Sequence, residues 1–485
     1  MNDSARPSNA HLALLFIAIT WFLCLGNNAL PLIDRDEPRF AEASREMLQS
    51  GDWVVPRFNN APRYDKPPLI YWMQVACYQI FGDNNFAARF PAALCTAATA
   101  LLIALWGSRL ATPKVGLQAA FIYTLCLQSF VHGRAAVADP PLILFSVAAA
   151  WAGWEWLHKP AHLPIALIFW TSLALGFLAK GPIAWIPIGM TGWALWKNRH
   201  STPPKPSPLA WIGGTILLLA LVCTWGVPAL LRTRGEFASV GLGEHVVNRS
   251  LVSMEGHGAK NWLGYLATLP FYFVTIFPSF APWSFWLPAA IRSLWRRPDP
   301  ATAYLLSGAV LTFGIFTLSR TKLPHYTLPA FPYLALLLAI WWQEARPSTL
   351  WLRTALATAL VFTLLPLLAF PFIKTLSATE SLMARLSPEL AEDCAIALVD
   401  YREPSLIWAV RAKVKGFPEM LEESQTAQWL AQPGNRICIL TASAAQNIPN
   451  AGKVRATADG WNFAKGKRLS LVALAGANTT PLTAP

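Results

Sequence analysis

Residues 209–231 read LAWIGGTILLLALVCTWGVPALL, a run without a single Asp, Glu, Lys, Arg or His. An α-helix needs about 20 mostly apolar residues to cross a bilayer. Ten further segments approach that pattern: 11–30, 86–108, 115–133, 139–157, 163–179, 181–196, 264–290, 301–318, 324–342 and 351–373. Only 13% of the 485 residues are charged and 54% are hydrophobic, with 23 Trp and 26 Phe. An ordinary soluble domain carries about 25% charge. So much apolar surface excludes a plain soluble enzyme and a disordered chain. The sequence predicts a polytopic α-helical membrane protein of about eleven spans.

The loops supply an independent constraint. One set holds Arg6, then Arg109 and Lys114, Lys159, Lys197 with Arg199 and Lys205, Arg292 with Arg296 and Arg297, and Arg346 with Arg353. These basic loops alternate with the others, as the positive-inside rule requires. They account for the net charge of +13 better than a nucleic-acid partner does, since no basic tract or nucleic-acid motif is present. The N-terminus is expected in the cytoplasm, on an uncleaved first helix. After eleven crossings the C-terminal part is expected outside.

The other face collects the unusual polar residues. It has a long first loop, 31–85, the 132–139 turn, Lys180, the 232–262 loop and residues 319–322. Within the first loop, 39–49 has Phe40, Ala43, Met47 and Leu48 on one side, with charges opposite, and Gly51 to end it. Residues 69–81 are aromatic and follow Pro67-Pro68. Both suit helices lying in the membrane interface. Composition changes near 375. Apolar runs 395–399, 437–440 and 469–474 have strand length, with helical patterns at 405–410 and 422–430 between them. The expected organisation is a membrane domain, 1–374, a small α/β domain, 375–474, and a disordered tail, 475–485. The seven Cys show no metal-type pairing. Cys24, Cys77, Cys95, Cys126 and Cys223 read as small core residues, and Cys394 and Cys438 as two separate buried thiols in preference to a disulfide.

Several groups on that face carry possible chemistry. Asp36 and Glu37 follow the first span, where acids suit metal binding, general-base work or a cationic partner. They equally suit the first turn of a helix. Asp139, before Pro140-Pro141, is an acid at the same face or an N-cap. Lys66, in Tyr64-Asp65-Lys66-Pro67-Pro68, suits a lipid phosphate. Glu244-His245 and Arg249 offer more of the same, and His245 with Asp65 has the donor types of a zinc-like divalent site. Arg39, Lys180, Arg320, Lys322 and Tyr326 add cations and a phenol, though snorkelling explains any single cation. Together they suggest a polar cavity that receives an anionic, lipid-borne substrate. No P-loop or dinucleotide glycine motif is present, so no nucleotide cofactor is expected.

The stretch from Asp36 to Trp53, DEPRFAEASREMLQSGDW, resembles the signature after the first helix of the ArnT family, the bacterial 4-amino-4-deoxy-L-arabinose transferases of lipid A. That family lies within the protein O-mannosyltransferase-like, GT-C superfamily. The resemblance continues through KPPLIYW at 66–72 and FGDNNFAAR at 81–89. It recurs at Asp139-Pro140, Lys180-Gly181, Glu244-His245, Pro282-Trp283 and the KLPHY of 322–326. It implies that Asp36 and Asp139 are the two acids near the sugar, that Asp65 and His245 are metal ligands, and that Lys66 meets the carrier phosphate. Glu37, Arg39, Lys180, Arg249, Lys322 and Tyr326 are then expected to line the same cavity. Two departures stand out: Asp65 replaces the more usual Glu, and two fewer spans follow Lys322, which leaves the parity unchanged.

The function so implied is transfer of a sugar from undecaprenyl phosphate to an envelope acceptor, lipid A above all, at the bacterial inner membrane. The donor's glycosyl phosphate supplies the energy. A flippase of lipid-linked sugars would share the spans and the polar cavity. It would need neither the large first loop nor the external domain, and transporter sites usually lie near the midplane. A structural membrane partner would not need the acid cluster. A transferase acting on protein or another glycan also fits the residues. The orientation is directly testable. Single Cys probes placed in 31–85 and 232–262 should react with an impermeant thiol reagent on intact spheroplasts; labelling only after the membrane is opened reverses the topology.

Overall fold

Backbone N–H and C=O groups in lipid must pair within their own segment, and the apolar runs are accordingly helical. The computed structural model describes residues 9–200, 205–241, 243, 262–296, 299–344, 349–448 and 452–476. Its helices are α1 (Asn9–Cys24), α2 (Asp36–Ser50), α3 (Leu69–Phe81), α4 (Asn85–Leu110), α5 (Pro113–Thr124), α6 (Leu127–His132), α7 (Asp139–His158), α8 (Leu163–Lys180), α9 (Ile186–Lys197) and α10 (Pro208–Arg232). There follow α11 (Trp262–Thr268), α12 (Phe271–Ser279), α13 (Leu287–Arg296), α14 (Pro300–Leu318), α15 (Phe331–Glu344) and α16 (Leu350–Leu376). Among the described residues, α4, α8, α10, α14 and α16 are long and apolar enough to cross a membrane.

Three of these helices begin alike. Thr112, Ser207 and Asp299 each accept a backbone N–H with the side-chain oxygen, and Pro113, Pro208 and Pro300 follow. The side chain satisfies a donor the helix cannot, and proline supplies the fixed φ without needing one. Other expected spans are interrupted. The 115–133 run breaks at Leu125 between α5 and α6, and 264–290 divides into α11, α12, a 3-10 turn at Trp283–Trp286 and the start of α13. Pro270, Pro278 and Pro282 fall in this second stretch, and each removes a backbone donor.

The chain divides into two compact units. The first comprises Met1–Cys24, Tyr64–Met73 and Arg89–Thr363. Its core surrounds α15, where residues Phe331 to Ala339 are all buried. The Trp106 ring meets Tyr304 and Tyr333 edge-on at 6.4 and 6.5 Å, and the Tyr304 hydroxyl donates to the Ala150 carbonyl at 2.9 Å. Helices α4 and α5 approach through two glycines. A Cβ on Gly116 would lie 2.0 Å from the Ala104 carbonyl oxygen, and one on Gly107 would lie 2.8 Å from the Gly116 Cα. Small residues permit such contact where lipid supplies no hydrophobic drive between helices.

The second unit comprises Leu25–Arg63, Gln74–Ala88 and Leu364–Pro485. Its five-stranded sheet runs β4 (Glu419–Met420), β3 (Ala395–Val399), β5 (Arg436–Thr441), β7 (Lys467–Ala475), β6 (Lys453–Asn462), counting a short β1–β2 ribbon (Arg57–Phe58, Ala61–Pro62) first. β3 is parallel to β4 and β5, whereas β7 is antiparallel to β5 and β6. Alternation sends Ile396, Leu398, Ile437 and Ile439 to one face, under α17 (Ala378–Leu386) and α18 (Pro404–Arg411). It sends Ala397, Val399, Cys438 and Leu440 to the other, under α19 (Glu423–Leu430) and α20 (Ala442–Gln446). Strands covered on both faces read as continuous apolar runs, which is why these were visible. β6 was not, because its inward residues include Ala456, Ala458, Gly460 and Asn462. They are small because α17 lies close: a Cβ on Gly460 would sit 2.4 Å from the Ala378 nitrogen. Cys394 and Cys438 are buried free thiols on opposite faces of the sheet. Ala475, expected in the tail, closes β7 and is buried; residues 477–485 lie outside the described ones.

Most of the first loop, residues 31–63 and 74–85, belongs with this second unit, not with the helical domain assigned to 1–374. The reason is electrostatic. Gly51, at φ 69°, ends α2 by donating to the Met47 carbonyl, as its sequence suggests. The charged side of α2, expected to face water, is buried. Glu42, Arg45 and Glu46 are each at most 3% exposed. Arg45 donates to Glu42 at 2.6 Å and Asp83 at 2.7 Å, and lies over the Trp408 ring at 3.5 Å. Arg411 of α18 donates to Glu42 at 3.3 Å and Gln49 at 2.6 Å. Burial pushes the Glu42 carboxyl up, while Arg45 and Arg411 pull it back. Glu46 accepts the Asn59 and Asn60 N–H groups at 2.5 and 3.0 Å.

The α4–α5 contact gives a stability test. Gly116→Ala is expected to cost about 1–3 kcal/mol, the range for overpacking, and to lower the thermal midpoint in detergent. Gly192→Ala in α9, where an added Cβ meets nothing within 4 Å, should hold or raise it.

Candidate active site

Pro140 and Pro141 set the start of α7 and place Asp139 in its first turn. An N-cap was one expectation for this acid. The cap position falls instead on Ala138, which makes no side-chain cap bond. The Asp139 carboxylate accepts from Lys180 Nζ at 2.6 Å, with side-chain exposures of 8% and 16%. Lys180 is the last residue of α8. Gly181, at φ 80°, turns the chain there into a 3-10 turn, Pro182–Trp185. That left-handed backbone suits glycine.

Two histidines join the pair. His132 ends α6, and His325 lies in the 3-10 stretch Pro324–Ala330. Their ring centroids are 5.3 Å apart. Asp139, Lys180, His132 and Lys66 are all electrostatic neighbours of His325. Lys66 Nζ also donates to the Asp65 carbonyl at 3.1 Å. Next to it, the Tyr64 hydroxyl donates to Glu236 at 2.9 Å and its ring meets Phe237 edge-on. The first unit thus gathers one carboxylate, two lysines and two imidazoles, a set able to hold an anion, orient a polar group and move a proton. The sequence had singled out Asp139, Lys180 and Lys66. It missed both histidines as site residues, although His132 opens the 132–139 turn and His325 stands inside KLPHY.

The other expected residues are placed as follows. Lys322 is buried and donates to the Phe316 and Thr317 carbonyls at 3.0 and 2.5 Å, capping the C-terminal end of α14. Tyr326 packs between Phe316 and His325, with centroids at 4.9 and 5.1 Å. In the second unit Asp36 is exposed at the first position of α2. Glu37 is buried and accepts the Ile33 N–H at 2.8 Å. Arg39 is an electrostatic neighbour of Asp34. Glu244, His245 and Arg249 lie outside the described residues. Among the described residues no three His, Cys, Asp or Glu are grouped to hold a metal ion.

Residues 65–226 match the family model described as dolichyl-phosphate-mannose-protein mannosyltransferase. This segment contains Asp65, Lys66, Asp139 and Lys180. The chain is 34% identical over 316 residues to an undecaprenyl phosphate-alpha-4-amino-4-deoxy-L-arabinose arabinosyl transferase 2 of Sodalis glossinidius, covering 63% of this chain and 54% of that protein. It is 30% identical over 370 residues to the corresponding transferase of an Enterobacter species, covering 73% and 65%. The matches therefore span between half and two thirds of those relatives' lengths. The structure of ArnT from Cupriavidus metallidurans, bound to undecaprenyl phosphate, superposes with a TM-score of 0.75 over 98% of this chain and all of that one, at 18% identity. The chain is ArnT-like in sequence and in fold. It is a multi-pass protein of the bacterial inner membrane, with the fold of the ArnT structure.

The Asp139–Lys180 pair has a measurable signature. Lys180→Met leaves a buried carboxylate without its lysine, and breaking such a pair costs about 3–5 kcal/mol. The thermal midpoint in detergent should fall. Adding Asp139→Asn removes the stranded charge and should restore most of the loss; an additive double variant would show that the two side chains act independently.

Proposed function

We propose that this protein transfers an aminoarabinose-type sugar from undecaprenyl phosphate to lipid A at the outer face of the bacterial inner membrane. One observation carries the reading: Asp139 and Lys180 are paired beside His132 and His325, Lys66 neighbours His325, and all of these but His325 lie within the segment that matches the dolichyl-phosphate-mannose-protein mannosyltransferase model. The names of the relatives supply the sugar and the carrier. In this reading the chain crosses the membrane eleven times, the N-terminus is cytoplasmic, α2 and α3 lie near the interface, and the α/β domain is periplasmic.

The chemistry is an in-line displacement. The acceptor oxygen attacks the anomeric carbon from the face opposite the carrier. The bond to the phosphate oxygen breaks, the electron pair leaves with the phosphate, and the configuration inverts. Lys66 holds that phosphate and neutralises the growing charge. Lys180 fixes the Asp139 carboxylate, which orients the sugar by accepting from its amino group, and Asp36 is assigned the same task. A phosphate acceptor on lipid A is already ionised and needs no base. A hydroxyl acceptor would give its proton to one of these acids. A divalent ion on Asp65 and His245 would add positive charge at the leaving phosphate, but the steps above use the chain's own side chains.

Detergent-solubilised protein has no two sides to transport between, and this decides between transferase and flippase. Mixed with undecaprenyl-phosphate aminoarabinose and lipid A, it should form product and free the carrier phosphate. A hydrogen bond to a charged group contributes about 1.5–3 kcal/mol, so Lys66→Ala should slow transfer by about one to two decades. Asp36→Asn and Asp139→Asn should each remove most of the rate while the protein still accumulates. No product from a broad set of donors and acceptors, with proteoliposomes moving the same lipid, overturns the transferase reading.

A further inference from the structure

We infer that Ser405 and Glu403, at the start of α18, are positioning residues for Asp36, so that the C-terminal domain is a working part of the transferase. The inference rests on the reading of Asp36 as a site acid.

The two residues just before Asp36 are held by groups more than 360 positions away. Asp34 accepts two hydrogen bonds from Ser405, from the backbone N–H at 2.8 Å and from Oγ at 2.5 Å. Arg35 Nε lies 3.6 Å from Glu403 Oε2. Glu403 is itself buried, and its other oxygen accepts from Asn462 of β6 at 3.0 Å. On the far side of Asp36, Glu37 is tied back to the Ile33 N–H. Asp36 alone in this run is both exposed and first in its helix. Burial pushes the Asp34 carboxyl up to about 6 against the two hydrogen bonds from Ser405.

The body of α2 is fixed by the same helix. Arg411 reaches Glu42 and Gln49, Arg45 donates to the Trp408 carbonyl at 3.0 Å, and Trp408 Nε1 donates to Asn85 at 3.0 Å. Arg411 also donates to the Val414 and Lys415 carbonyls, which locks its own guanidinium. A helix held at its start, along its charged face and near its end cannot rotate about its axis. The direction of its first side chain is thereby set. Catalytic groups must be held closely to their productive geometry, and a misplacement of about 1 Å can cost about 100-fold. A brace of this density on the residues flanking one exposed acid is what that requirement predicts.

A double-mutant cycle separates positioning from simple stability. Turnover and KM for the lipid-linked sugar are measured on full-length protein carrying Ser405→Ala, Asp36→Asn, or both. Losing the Oγ bond to Asp34 should lower kcat about tenfold, with KM little changed and any fall in the thermal midpoint equal in both Asp36 backgrounds. Ser405→Thr, which keeps the hydroxyl, should restore the rate. In the Asp36→Asn background Ser405→Ala should cost nothing further, and Glu403→Gln should show the same dependence. Equal fractional losses in both backgrounds, or a wild-type kcat for Ser405→Ala while Asp36→Asn is inactive, overturn the inference and leave the site reading intact. A full rate for Asp36→Asn removes Asp36 from the site and the inference with it.

Discussion

A charge removed from water must find a partner, and in a chain with so few charges this constraint decides where the ends of helices go. The effective cost is several kcal/mol per ion even after relaxation. Asp139 meets Lys180 at 2.6 Å, and Glu42 lies between Arg45 and Arg411. The first pair ties the start of α7 to the end of α8. The second joins the first loop to a helix of the C-terminal domain. Lys322 solves the same problem by donating to the last carbonyls of α14. The apolar helices could pack in many ways, since lipid is as apolar as their side chains. The paired charges and the close glycine contacts reduce those ways to one.

The same pairings give the candidate site its character. Asp139 does not cap its helix, although its sequence position before two prolines suits a cap. Its carboxylate is aimed at Lys180 and lies in the electrostatic neighbourhood of two imidazoles, one of which also neighbours Lys66. A cluster of one acid, two lysines and two histidines suits an anionic substrate whose leaving group is a phosphate.

The second unit is assembled from segments far apart in the chain. Its sheet, covered on both faces, would stand as an ordinary α/β layer fold. Much of what ties it to the first loop is helix α18, which presents Ser405, Trp408 and Arg411 to the residues around and within α2. The partners are polar and largely buried. Removing one member strands another, so the contact is specific in register and in orientation. A purely apolar contact of the same size would tolerate sliding.

Much of this was readable from the residues in order. The apolar runs required helices. Gly51 marked the end of α2. The runs at 395–399, 437–440 and 469–474 announced strands, because a strand buried on both faces is apolar throughout. The DEPRF and KLPHY stretches pointed to the family. Local pattern failed where meaning depended on partners far along the chain. The charges of α2 looked like a water-facing surface because a sequence does not show that Arg411 will lie against Glu42. β6 was silent because packing against α17 required small residues in place of hydrophobic ones. His132 and His325 carried no sign of belonging together, being nearly 200 positions apart. The sequence determined most of the helices and the strands buried on both faces, since those follow from local periodicity and the solvent around the backbone. The tertiary structure decided which charges are paired and which side chains share a site, since pairing over long separations is set by packing alone.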